Sequence, residues 1–433
     1  MGRLLKKYMG LIIIIIILLV FPISLSNQAR LNNRIIVTGL AIDKSGDKYQ
    51  ITAQYVKTSP GTESGGTSAE INFVTDIDTS MVSAIEKLSY KAGKVAAFSH
   101  TNFIVIGKDC LNEDLTQMLD YFVRNKTIKS SALLLFAEEK AADEIKKTKD
   151  VELSVGLGLQ KVFLVKENEG DGEMTTILNF LKDAKSYSQT STASTLKLMK
   201  NDEAVKFTQE SSGEDSQSSS SSSGSLETQN TGSTSGESSS SNDSSSSGSA
   251  SGDKYKYFEA LAPIICCTNG RYVGKLETSD EVTGYMIAKS KSATEDVSLK
   301  NVNGGRFNNA TIGIKVNHKH SKKSIRYENA IPCLDIKITI SNSEIEDLQN
   351  EQMISEISAE EYEIIKKEIE KDTARKIAAC FEKSRSFKAD VFHAYDIANK
   401  FCYEKTNKYY RDMQSFLNDL KLNVEVEVVR LDY

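Results

Sequence analysis

Residues 34–56 read RIIVTGLAIDKSGDKYQITAQYV, and this stretch decides the fold. Two runs rich in Ile, Val, Thr and Tyr flank Lys44-Ser45-Gly46-Asp47, a polar break centred on glycine. Such a pattern predicts a β-hairpin. Outward from it, residues 78–92 (DTSMVSAIEKLSYKA) set Met81, Ile85 and Leu88 on one helical face behind Asp78, the expected cap. Residues 98–108 then predict a buried strand. Residues 112–125 predict a helix with Leu115, Met118, Leu119 and Phe122 inward, residues 130–137 another strand, and residues 138–148 a third helix. Strands alternating with helices of this length predict an α/β layer. Between Val151 and Lys200 the periodicity blurs, leaving one helix expected around Thr175 to Lys185.

Upstream of the hairpin, Arg3, Lys6 and Lys7 precede an apolar run from Met9 to Leu25 that contains six consecutive isoleucines. The run is just long enough to cross a ~30 Å hydrocarbon core. It exceeds the roughly 7–15 residues of a signal h-region. Residues 1–26 are therefore expected to be an N-terminal transmembrane anchor. Ser24-Leu25-Ser26 leaves a cleavable signal as the alternative. With the basic end inside, everything after Asn27 is expected on the extracytoplasmic side.

Downstream, Ser211 to Gly252 is about half serine, with five acidic and no basic residues. Such a segment buries too little apolar area to offset its ordering entropy, so 209–253 is expected to be a disordered linker or insertion. The remainder divides into an α/β region, 27–208, and an α+β region, 254–433, in which an antiparallel sheet carries long helices. In the latter, Asn269-Gly270 marks a hairpin and residues 309–327 and 331–340 supply strands. Ser358 with Glu361 forms a capping box ahead of a long helix bearing Ile365, Ile369, Ile377 and Phe381. Residues 388–402 and 407–420 read as two further helices. A closing strand carries Leu422, Val424, Val426 and Val428 on one face.

Chemistry is sparse. His318 and His320 share one face of an ideal strand but have no third ligand and sit among Lys319, Lys322 and Lys323, a poor setting for zinc. His100, at the head of a strand, and His393, between Phe392 and Ala394, read as hydrogen-bonded structural residues. Gly304-Gly305 and the Val155–Gly158 run lack the spacing of a phosphate loop, and Glu360-Glu361 belongs to a helix start. The six cysteines, Cys110, Cys266, Cys267, Cys333, Cys380 and Cys402, fit no disulfide framework and read as small buried hydrophobes. A formal charge of −5 gives no footprint for nucleic acid. The expectation is a non-enzymatic protein without cofactor or metal that acts by binding.

The best docking candidate is Asp390 to Arg411, where Tyr395, Phe401, Tyr403, Tyr409 and Tyr410 crowd a short span beside Arg411. Aromatics and arginine are enriched in binding hot spots. Tyr409 and Tyr410 cannot both face one side of a helix, so at least one is expected at the surface.

Four blocks resemble the Ger(x)C family, the C subunits of spore germinant receptors. Residues 30–56 are similar to its mature N-terminal hairpin, and 99–137 to its next block, including Arg124. Residues 267–280 resemble its strand pair, with Gly274 in the matching place. Residues 389–431 are similar to its C-terminal signature, with Ala389-Asp390-Val391-Phe392 closest. The resemblance implies small α/β and α+β domains, no catalytic site, a place at the spore inner membrane facing outward, and A-type and B-type polytopic membrane subunits as partners. The family is typically lipidated, yet no cysteine stands near Leu25, so the isoleucine run takes the place of the lipid. An anchored solute-binding protein is the alternative, predicting two lobes around a deep cleft. A cell-envelope hydrolase would need a catalytic constellation that the sequence does not show.

Overall fold

The computed structural model describes residues 34–60, 67–125, 128–149, 158–200, 255–289, 294–347, 352–353 and 357–431. The expected anchor, 1–26, and the serine tract, 209–253, lie outside these residues.

The opening hairpin forms as read. β1 (Arg34–Ser45) pairs antiparallel with β2 (Lys48–Pro60), with Ile42 opposite Ile51 and Ser45 opposite Lys48. β2 continues into β3 (Thr67–Asp78). β1 is buried almost throughout because helices cover both faces of its sheet. α1 (Met81–Ala92) turns Met81, Ala84, Ile85 and Leu88 inward. Its cap is Ser80, not Asp78. The Ser80 hydroxyl accepts from the Ser83 amide, while Asp78 accepts from the Ser80 amide and from the Ser83 hydroxyl. β4 (Val95–Ala97), β5 (Phe103–Ile106) and β6 (Leu133–Ala137) run parallel to β1, with α2 (Leu115–Asn125) between the last two.

The blurred stretch holds a helix and a strand that the pattern did not show, and a second, short strand at its end. α4 (Gly158–Glu169) follows α3 (Ala141–Lys147), and it buries Leu159 and Phe163 while leaving Leu164 and Val165 exposed. Apolar side chains on both sides erase the helical period. After α5 (Ile177–Ala184) comes β7 (Thr190–Leu196), TSTASTL, buried at all seven positions. A central strand made of Ser and Thr reads as loop when only apolarity is counted.

β8 (Leu198–Lys200) pairs antiparallel with β9 (Tyr255–Phe258), so residues 201–254 leave and return at adjoining strands. β10 (Ile264–Thr268) and β11 (Arg271–Leu276) form the expected hairpin, whose Asn269 and Gly270 turn at φ 53 and 74. β10 pairs with β7. The hairpin thus completes the first sheet, in the order β11-β10-β7-β6-β5-β1-β2-β3, with β4 on β1. α1, α2 and α5 pack on one face and α3 and α4 on the other.

α6 (Ser279–Lys289) leads to the second sheet: β12 (Thr294–Gly304), β13 (Phe307–Glu328), β14 (Ile331–Asp347), the short β15 (Gln352–Met353) and the last strand, β16 (Lys421–Leu431). The expectation of an antiparallel sheet fails at one strand: β16 pairs parallel with β14. The helices between them supply the long crossover that a parallel pair requires. Leu422, Val424, Val426 and Val428 join the second core as the alternation predicts. α7 (Ala359–Ser386) starts at the Ser358–Glu361 capping box. The two helices read beyond it are three shorter ones, α8 (Ala394–Phe401), α9 (Tyr403–Tyr409) and α10 (Met413–Asp419). Positive φ at Lys388 and His393 keeps 388–393 out of a helix, and extended backbone at Tyr410 and Asp412 separates α9 from α10.

Candidate docking surface

The five aromatic candidates and Arg411 divide by burial. Tyr395 and Tyr410 are core, 7% and 6% exposed, both packed on Phe416 with ring centroids 5.1 and 5.4 Å away. The Tyr410 hydroxyl donates to the Ala330 carbonyl at 3.2 Å and to Asp419 Oδ2 at 3.1 Å. Burial and the Asp419 carboxylate push this phenol up to about 12. Tyr403 and Tyr409, by contrast, are 61% and 45% exposed, Arg411 is exposed, and Phe401 at the end of α8 is 71% exposed. The Tyr409–Tyr410 pair therefore splits, because α9 ends at Tyr409 and Tyr410, in extended backbone beyond it, turns into the core. Tyr327 supports the outer group from below, its hydroxyl 2.8 Å from Thr406 Oγ1 and its ring 6.4 Å from that of Tyr409.

Asp390 fixes this region to the rest of the molecule. Its carboxylate accepts from the Ala394 and Tyr395 amides, capping α8, and from the Ser188 hydroxyl at 2.7 Å. The Asp390 amide donates to Thr190 Oγ1 at 3.1 Å, and Asp396 exchanges two bonds with Ser188. His393 Nδ1 lies 2.8 Å from Asp396 Oδ2, a structural role as read from the sequence. Although burial opposes its charge, that contact holds Asp396 below the usual carboxylate range. His100 is different. It sits exposed on a single turn, Phe98–His100, rather than inside a core.

A second buried set crosses the same seam. Glu173 accepts from Tyr285 Oη at 3.0 Å and pairs with Lys289, and Tyr285 Oη also lies 2.7 Å from Thr192 Oγ1. Burial raises the Glu173 carboxyl, but Lys289 outweighs it and the net direction is down. Nearby, Lys323 Nζ donates to the Phe392 carbonyl at 3.1 Å, and burial together with the Lys289 charge lowers its ammonium to about 8. Glu173, Thr192 and Tyr285 thus join the first sheet to α6, while Lys323 ties β13 to the segment before α8.

Among the described residues no group of His, Cys, Asp and Glu could hold a metal ion. The β13–β14 ladder shifts register between His318 and His320, which interrupts the alternation behind the shared-face reading. The six cysteines are free thiols, five of them buried. Cys266 and Cys267 enter different cores on opposite sides of β10. A cleft of about 660 Å³ at the seam is lined by charges, among them Glu169, Asp171, Lys300 and Lys315. No helix among the described residues is long and apolar enough to cross a membrane.

Two family models match the chain in order. The spore germination protein N-terminal domain covers residues 27–198, and the spore germination B3/GerAC-like C-terminal domain covers 265–430. The chain belongs to the Ger(x)C family of spore germination proteins. A solved structure titled "Crystal Structure of the GerBC protein" is similar over 90% of this chain and 96% of that one, at 13% identity and a TM-score of 0.48. No curated protein matches. Three residues of the Ger(x)C-like blocks now have physical roles. Asp43, buried near the end of β1, accepts from the Ala141 and Ala142 amides at 2.7 and 2.8 Å and caps α3. Gly274 faces the Phe387 ring so closely that an added Cβ would lie 2.5 Å from it. Asp390 is the cap and tether described above. Residues 199–264, which include the rest of β8 and all of β9, fall outside both matched segments.

Proposed function

We propose that the protein is the non-catalytic C-type subunit of a nutrient germinant receptor. It is held at the spore inner membrane with its bulk on the extracytoplasmic side, and it assembles with the A-type and B-type polytopic subunits. The observation that carries this reading is the ordered pair of Ger(x)C matches spanning both halves of the chain. The buried titratable groups support it, since Asp43, Glu173 and Asp390 are each consumed by helix caps or packing bonds, as a protein acting by contact requires. The N-terminal apolar run is the anchor in this scheme, and 209–253 a passive tether joining the chain that leaves β8 to the chain that enters β9.

The test is co-purification. Tagged full-length protein, extracted in mild detergent, is expected to bring down an A-type and a B-type polytopic subunit, and its deletion to abolish germination on their nutrient. Normal nutrient germination without it, together with no recovered membrane subunit, would overturn the assignment.

A further inference from the structure

We propose that the face formed by the end of α8 and by α9 rests on an anionic lipid surface. Only Thr406 of the seven residues in α9 is buried, whereas a helix packed on a globular core ordinarily turns a broad apolar stripe inward. The remaining circumference is not simply polar. Phe401, Tyr403 and Tyr409 stand 71%, 61% and 45% exposed. Around them lie Lys400, Lys405, Lys408 and Arg411, all exposed, with Glu404 the one acidic residue between 400 and 411. Among the described residues these four cations have no acidic partner. Lys400 and Lys408 instead lie over the rings of Phe401 and Tyr409, 5.1 and 5.3 Å from their centroids.

The composition chooses the occupant. Protein interfaces are depleted in lysine and favour arginine, whereas segments lying on membranes pair lysine with aromatics at headgroup depth. Here lysine supplies three of the four cations. The chain as a whole carries −5, so this is a local positive surface on an acidic molecule, complementary to anionic headgroups and not to the molecule's own average surface. The apolar run at 9–25 would in addition keep a bilayer within reach. The inference rests on surface chemistry and stands apart from any role in sensing nutrients.

The chain has no tryptophan, so Phe401→Trp introduces a single reporter. Full-length protein is reconstituted into vesicles of phosphatidylcholine alone or mixed with phosphatidylglycerol, with brominated acyl chains as quenchers. The apolar run tethers the protein in both, so emission reports the orientation of the patch. The expected result is blue-shifted, bromine-quenched emission in the phosphatidylglycerol vesicles. High salt, or Lys400→Glu, Lys405→Glu and Lys408→Glu together, should return it to the water-exposed value while circular dichroism stays unchanged. Water-like emission in anionic vesicles from a folded reporter overturns the proposal. So does emission that becomes buried only when the polytopic subunits are added, which would make the face a protein contact. Tyr403→Trp repeats the measurement should the first reporter disturb folding.

Discussion

At the scale of single residues, the polar groups that hold the two sheets together are the sensitive ones. Asp390→Ala removes the α8 cap and the bond to Ser188 at once, and should cost ~2 kcal/mol or more, seen as a fall in melting temperature. Gly284 of α6 lies against the backbone of α7, where an added Cβ would stand 2.1 Å from the Lys376 carbonyl oxygen. Backbone cannot swing aside, so Gly284→Ala should destabilise by ~1–3 kcal/mol, and an unchanged melt would show that the helices slide freely. Lys323 gives a pH signature. Its folded value, about 8, lies below the ordinary lysine value of 10.5, so below pH 8 the folded state carries an ammonium it disfavours. Stability should rise as pH climbs from about 8 to 10.5, where the unfolded chain still binds the proton. With allowance for its partial exposure, the relief is on the order of 1–2 kcal/mol. The stability difference between wild type and Lys323→Met is the measurement, and a difference independent of pH would refute the assignment.

Legibility differs element by element, and the reasons are physical. The hairpin of β1 and β2 was plain because β-branched residues flank a glycine turn. α1 and α2 were plain because each buries one stripe, and α7 because its capping box is local in sequence. β7 was invisible because seven Ser, Thr, Ala and Leu residues earn burial through their neighbours, β6 and β10, far away in the chain. The parallel pairing of β16 was equally hidden, since alternation gives a strand its faces but not its direction. The division of the docking candidates by burial has a related reason. The clustering of tyrosines was legible, but Phe416, which draws Tyr395 and Tyr410 into the core, announced nothing in advance. A prediction at this scale concerns β8 and β9. Because they pair on either side of residues 201–254, deleting Ser211 to Gly252 should leave one cooperative thermal transition near its original temperature. Loop-closure cost changes by only ~0.6 kcal/mol per doubling of length. Loss of cooperativity would mean that the tract contributes structure.

Across the whole molecule, the two sheets are not independent bodies. β10 and β11 belong to the first sheet, yet Cys266 and Leu276 enter the second core, and Glu173, Tyr285, Ser188 and Asp390 bond across the seam. Unfolding should accordingly be a single event, and a calorimetric trace with two resolved transitions would contradict the shared seam. Attachment is read from the other end of the chain. If the apolar run stays, protein extracted from membranes should begin at or near Met1, and soluble material beginning near Asn27 would establish cleavage.

The antiparallel pairing of β8 with β9 means that severing the chain between residues 201 and 254 need not sever the molecule. The downstream piece would remain sewn in by β10 against β7, and by the Ser188–Asp390 and Tyr285–Glu173 bonds. A site-specific protease cutting at an engineered target there, after folding, should give two bands on a denaturing gel and one species on a sizing column. Nicked in this way, the protein would behave as a heterodimer born from one gene. Its halves could then be labelled separately without ever having been folded apart.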